Sequence, residues 1–304
     1  MGADCPHWLN FLKVVTADNV DLQAYLARVS GYCLSGSTRE QVFFFLHGSG
    51  ANGKSVFLKI LAWILRDYAA TATADTFTNR GPARHLTELA GLRAARLVLV
   101  SETEAGEGWA EARIKSVTGG ETIRANFMHK DHFEFTPQFK LMVAGNHRPS
   151  LGDAGEAMRR RLHVIPFGVT IAPGDRDPHL GDILKAEADG ILGWMIKGCA
   201  DWQRTGLMPP AIVSGAADEY FAAEDHIGQW LEDCCQTGPA LRASSKALYA
   251  SWSAWARNGG FEPQSTRALG EALRSRGFQP GKVGLDRGWI GLAIGPALRK
   301  GHQP

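Results

Sequence analysis

The octet Gly48-Ser49-Gly50-Ala51-Asn52-Gly53-Lys54-Ser55 satisfies the spacing GxxxxGK[ST] in full. Glycines in such a loop let backbone N–H groups turn inward toward phosphate oxygens. A helix beginning near Lys54 adds the positive end of its dipole, and the Lys54 ammonium places a point charge at the β- and γ-phosphates. Ser55 supplies a hydroxyl ligand for Mg2+, and Val56 carries the chain into the helix. Residues 48–56 are therefore the candidate nucleotide-binding segment, with ATP and Mg2+ as the implied substrate and metal.

Metal-assisted hydrolysis also needs an acid in the Mg2+ shell and a group that orients the attacking water, usually at the end of a neighbouring strand. The stretch RLVLVSETE ends in Glu102 and Glu104, two residues apart and so on one face of an extended chain. Glu102 is assigned to the Mg2+ side and Glu104 to the water, with the roles exchangeable. Asn146, closing LMVAGN, is placed to bond a γ-phosphate or the water; taken alone, an asparagine there is a turn former. In MRRRLHVIPF, one of Arg159, Arg160 and Arg161 can stabilise charge on a transferred phosphoryl group, from the same subunit or a neighbour. Taken alone, such a run is a solvated face.

Strands and helices must hold these groups. VFFFLH, Val42 to His47, lacks polar alternation, as a parallel strand buried on both faces does, and SVFLKILAWILRDY has helical spacing. Further buried strands are expected over 95–104 and 139–149. Strands alternating with helices predict an α/β domain with a mostly parallel sheet. Upstream, Trp8, Phe11 and Leu12, then Leu22, Tyr25, Leu26, Val29 and Cys33, fit a short helical lead-in that serves as packing material. Beyond Pro209-Pro210 comes a helical stretch, and after Gly238-Pro239 two helices and a β-hairpin, an order that suits a small winged-helix module.

With 304 residues, 44% hydrophobic and 21% charged, the chain has material for one core domain with smaller appendages. No apolar run reaches membrane-spanning length. The opening MGADCPHWLNFLKVV lacks a secretory signal pattern, and Pro6 argues against myristoylation. Five cysteines without a CxxC pair signal neither a disulfide framework nor a zinc site and fit reduced cytosolic thiols. A net charge of +2 does not announce a nucleic-acid binder, so any such contact depends on local placement.

Together, GSGANGKS, RLVLVSETE, IKSVTGGETIRANFMHKDHFEFTPQFKLMVAGNHRP and RRRLHVIPF resemble the helicase part of the phage and plasmid primase-helicase family, a superfamily 3 helicase group related to the poxvirus primase-helicase. The resemblance implies an AAA+-type P-loop ATPase core that forms a homo-oligomeric ring, usually hexameric, with nucleotide between subunits and single-stranded or forked DNA in the channel. It carries Lys54 and Ser55 into the phosphate loop, Glu102 and Glu104 into the acidic motif and Asn146 into the sensor position. The family's paired arginines fall on Arg160, the first choice for a finger reaching a neighbour's ATP, and Arg161, the second. Apolar positions on either side of His129-Lys130-Asp131 fit a β-hairpin. In the family it projects into the channel, which makes Lys130 a phosphate contact and His129 a second candidate.

The expected organisation is a helical lead-in over 1–40, the ATPase core over 41–205, a helical connector over 206–238 and the winged-helix-like module over 239–304. Arg267, Arg274, Arg276, Lys282 and Arg287 surround that module's second helix and wing, as a duplex contact or a solvated face. The implied function is an ATP-driven replicative DNA helicase moving 3′ to 5′, cytoplasmic, in bacteria carrying a phage or mobile element. A primase or polymerase is a further candidate partner, although no primase catalytic domain precedes the motifs. The alternatives are a nucleotide-dependent origin-binding or assembly module without unwinding activity and, less favoured, a packaging ATPase.

Overall fold

The computed structural model describes residues 3–79, 85–101, 106–128, 130–151 and 156–295. Internal contacts divide the chain into two compact units, one up to Ala222 and one from Ala223. Helices α1 (Pro6–Val15) and α2 (Val20–Tyr32) open the first. A proline in the first turn starts α1, and the Asn19 side chain caps α2 by accepting from the Leu22 N–H at 2.9 Å. Trp8, Phe11, Leu12 and Val15 recur at helical spacing and form the buried face of α1.

Strand β1 (Phe43–His47) leads through the glycine-rich loop into α3 (Lys54–Leu65). After β2 (Ala69–Ala72), α4 (His85–Ala90), β3 (Leu97–Ser101) and α5 (Glu111–Thr118) comes the hairpin of β4 (Ile123–Asn126) and β5 (His132–Phe135). Strand β6 (Lys140–Gly145), the short α6 (Glu156–Arg159) and β7 (Leu162–Pro166) complete the sheet; α7 (Leu180–Ala186), α8 (Ala188–Thr205) and α9 (Ala211–Glu224) follow. The five strands are parallel in the order β2-β3-β6-β1-β7.

Burial on both faces explains the unbroken apolar run of β1. Phe44 and Leu46 enter one core with Met142 of β6 and with α1, α2 and α3, while Phe43 and Phe45 enter the other with Val143 of β6, Ile114 of α5 and Tyr220 of α9. Alternate side chains of one strand thus bind helices to opposite sides of the sheet. Each such burial stabilises by roughly 1.5–3 kcal/mol, which fixes β1 and the loop that follows it.

The second unit contains α10 (His226–Cys234), β8 (Cys235–Ser244), α11 (Ser245–Asn258), α12 (Thr266–Ser275), β9 (Gln279–Val283) and β10 (Asp286–Ile294). Its antiparallel sheet runs β8-β10-β9, and Trp230, Trp252 and Leu273 lie in its core. Asp225, Ser244 and Ser265 cap its three helices. Strand β8 passes through Gly238-Pro239, which from sequence alone marks a break. Its pairing with β10 jumps from Thr237 to Arg242, so the proline, which lacks an N–H to donate, sits in an irregularity of the ladder. Among the described residues, no helix is long and apolar enough to cross a membrane.

Candidate active site

The candidate site lies at the carboxyl ends of β1 and β6, where a parallel α/β sheet places its ligand crevice. Gly53 is the N-cap of α3 and gives it no side-chain cap, so the first-turn N–H groups of Lys54, Ser55 and Val56 face outward at the helix end. Lys54 is buried, and its ammonium donates to Gly48 O at 2.7 Å, Asn52 Oδ1 at 3.1 Å and Asn146 Oδ1 at 3.0 Å. The loop after β1 and the end of β6, 92 residues apart in sequence, thus meet on one cation. Among the described residues no carboxylate pairs with it, and burial pulls its pKa below the usual lysine value.

Tertiary contacts hold the loop. Asn52 is buried and donates from Nδ2 to Phe167 O at 2.9 Å, the Ile171 N–H donates to Ala51 O at 2.8 Å, and Ser49 Oγ lies 3.4 Å from Thr170 Oγ1. Gly53 has φ of +87°, and a Cβ there would meet Val15 Cγ1 at 2.5 Å. Only glycine satisfies both that backbone and the close approach of α1. At Gly50, φ +97°, a Cβ would meet nothing within 4 Å, so the rim of the loop is open. Ala51 also has positive φ, 46°, a conformation that costs a non-glycine residue about 1 kcal/mol. His47, at the root of the loop, is held below the ordinary histidine pKa, first by burial and then by the charges of Arg148 and Lys54.

The donor set fits a phosphate chain: outward N–H groups at a helix start, a cation without a carboxylate, and an open rim. Ser55 is exposed in the first turn of α3. Among the described residues no three His, Cys, Asp or Glu side chains converge on a metal site. Glu102 and Glu104 lie outside the described residues. Strand β3 ends beside β6, with Ser101 opposite Ala144, two residues before Asn146.

The arginines are elsewhere. The Phe43 N–H donates to Arg161 O at 2.9 Å, so Arg160 and Arg161 stand at the amino end of β1 and the loop at its carboxyl end. Five strand residues separate those ends by roughly 15 Å. The three arginines also differ. Arg159 pairs with Asp218 at 2.7 Å. Arg161 is buried, donates from Nη1 to Ala157 O at 2.8 Å and leaves Nε without a partner; burial and then Arg160 lower its pKa. Arg160 is exposed. Lys130 is exposed at the turn between β4 and β5, and His129 lies outside the described residues.

Residues 46–161 match a family of unknown function, DUF5906, a span that takes in the phosphate loop, Glu102, Glu104, His129, Lys130, Asn146, Arg160 and Arg161. Over 268 residues the chain is 27% identical to a protein named "Putative helicase L207/L206" of Acanthamoeba polyphaga mimivirus, covering 81% of this chain and 28% of that protein. It is 26% identical over 309 residues to "Putative helicase 022R" of Frog virus 3 (isolate Goorha), covering 94% and 31%. The C-terminal region of NrS-1 in its apo A form shares the fold, with a TM-score of 0.57 at 13% identity over 96% of this chain and 77% of that one. The chain is similar in sequence to viral proteins named putative helicases. It spans about three-tenths of the length of the two viral relatives.

Four residues at the site escape a reading by motif. Asn52 occupies an unspecified position of the loop yet holds both Lys54 and Phe167. Val15 and Phe11 belong to the lead-in but press on Gly53. Arg148 adds a second positive charge beside His47, and its guanidinium lies 5.5 Å from the Tyr220 ring. Periodicity marks Phe11 as buried; that it and Val15 press on Gly53 is a tertiary fact.

Proposed function

We propose that the chain is the motor part of a replicative DNA helicase that hydrolyses Mg2+-ATP and moves on single-stranded DNA, 3′ to 5′, as a homo-oligomeric ring, hexameric by family resemblance. The observation that carries the reading is Lys54, buried without a carboxylate partner among the described residues and bonded to both Gly48 and Asn146. Lys54 and the first-turn amides of α3 bind and orient the β- and γ-phosphates. Asn146 positions the γ-phosphate or the attacking water. Ser55 and Glu102 hold the metal and Glu104 orients water, the two acids being exchangeable. Mg2+, when bound, neutralises charge on the phosphate oxygens.

The arginine positions support a site shared between subunits. With roughly 15 Å of strand between the two ends of β1, neither Arg160 nor Arg161 serves the Lys54 of its own chain, whereas the amino edge of one copy can complete the carboxyl edge of another. Arg160, exposed, is the finger; Arg161, buried, braces the turn into β7. The C-terminal unit, with its order helix, strand, two helices and two strands, is read as a winged-helix module. The test is a mixing experiment. Lys54→Ala and Arg160→Ala each abolish ATP turnover alone, and mixed oligomers regain it because some interfaces carry both native groups. If Arg160→Ala alone keeps full turnover, the finger assignment fails; if both variants are inactive and mixing restores nothing, the shared site fails.

A further inference from the structure

The turn between β4 and β5 leaves two large apolar side chains in water: Phe127 is 42% exposed and Met128 70%. Phe127 is also firmly backed. Its ring stacks on Phe133 with centroids 5.5 Å apart and an interplanar angle of 26°, and Phe133 lies 6.0 Å from Phe135. Phe133 and Phe135 pack against the core cluster that contains Ile123 and Ala125, so the row runs from the domain interior to the turn. The Lys130 N–H donates to Phe127 O at 3.0 Å, and the Lys130 ammonium lies 5.9 Å from the Phe127 ring. One rigid ring and one cation are thus held side by side.

Charge alone does not explain this arrangement. From Ile123 to Phe135 the hairpin carries Arg124 and Lys130 against Asp131 and Glu134, and Arg124 stands directly opposite Glu134 across the strands. Such a balance gives a phosphate backbone little net attraction. An exposed aromatic ring beside a cation is instead the combination that holds a single-stranded base on its π-face with its phosphate near the cation. We propose that Phe127 is a stacking platform for one base of single-stranded DNA, with Met128 at its edge and Lys130 on the adjoining phosphate. This rests on the helicase reading of the hairpin and adds a contact to bases.

The test compares oligothymidylate with an abasic strand of equal length, bound to the full chain with Mg2+ and a non-hydrolysable ATP analogue, over a salt series. Stacking predicts that Phe127→Ala weakens oligothymidylate binding by at least about fivefold, leaves abasic binding and the salt slope unchanged, and is restored by Phe127→Trp. Lys130→Ala should instead weaken both strands and reduce the salt slope by about 0.7. Equal losses on both strands, or no loss on either, would overturn the platform while leaving the DNA-binding reading intact. So would a changed oligomeric state with unchanged DNA binding, which makes the patch a protein contact. If the unaltered chain binds neither strand, the helicase reading itself fails and the platform with it.

Discussion

Lys54 of the first unit and the arginines of the second are handled in opposite ways. At the carboxyl edge of the parallel sheet, Lys54 is buried among neutral oxygens, all three of its bonds going to carbonyl or amide acceptors. In the C-terminal unit, Arg267 pairs with Glu271 at 3.0 Å, Arg276 pairs with Asp225 at 2.5 Å, and Arg274 lies over the Trp289 ring. A surface that neutralises its own charge is already satisfied. A buried ammonium without a carboxylate has positive charge left to offer an anion. Of the five basic residues expected around the second helix and wing, three are so engaged, leaving Lys282 and Arg287, cross-strand neighbours on β9 and β10, as exposed cations of that hairpin.

Lys140 sharpens the contrast, since it too is buried without a carboxylate partner among the described residues. At the start of β6 it donates to the carbonyls of Ser35, Ser37 and Gln138 and lies 4.7 Å from the Tyr32 ring. That cage ties the end of the lead-in to the sheet. Lys54 differs in standing at a helix start beside the open rim of Gly50, so the missing carboxylate matters where a ligand has room to enter.

The largest expected effect follows from removing the cation. Lys54→Ala should reduce ATP turnover by at least about 100-fold in a steady-state assay, while its far-ultraviolet circular dichroism stays that of the unaltered chain. Giving the same cation an acidic partner should make it resemble the C-terminal arginines. Asn146→Asp is expected to pair with Lys54 and weaken Mg2+-ATP binding by roughly 10-fold, measured by competition with a fluorescent analogue. Unchanged affinity in Asn146→Asp would break the comparison.

Much of the site is legible in the sequence because it is local. The loop between β1 and α3 is set by adjacent residues, and strands buried on both faces announce themselves as unbroken apolar runs. What is hidden depends on contacts distant in sequence. Arg276 and Asp225 are 51 positions apart, so their pairing cannot be read from the arginine's surroundings. That Arg160 and Arg161 stand at the far end of β1 from Lys54 emerges only from the register of β7. Gly238-Pro239 reads as a boundary because both residues break ladders, yet β10 accommodates them by slipping register. Glu102, Glu104 and His129 lie outside the described residues.

A smaller effect concerns pH. Burial brings the Lys140 pKa down to about 8 from 10.5. The unfolded chain then binds the additional proton between those values, so this lysine costs stability below about pH 8 and the cost is relieved as pH rises toward 10.5. In denaturant unfolding, the stability of the native chain relative to Lys140→Met should rise by up to about 3 kcal/mol across that window. A flat difference would mean that the ammonium is better solvated than its cage implies. The smallest effect is expected from Arg267→Ala, whose exposed pair with Glu271 should change unfolding stability by less than about 0.5 kcal/mol and leave ATP turnover unchanged.

The most direct test of the central claim is steady-state ATP hydrolysis by the unaltered chain with Mg2+, with and without single-stranded DNA. The account predicts turnover that rises when DNA is added and is absent in Lys54→Ala. Hydrolysis by Lys54→Ala at the unaltered chain's rate, or none by the unaltered chain under either condition, would contradict it.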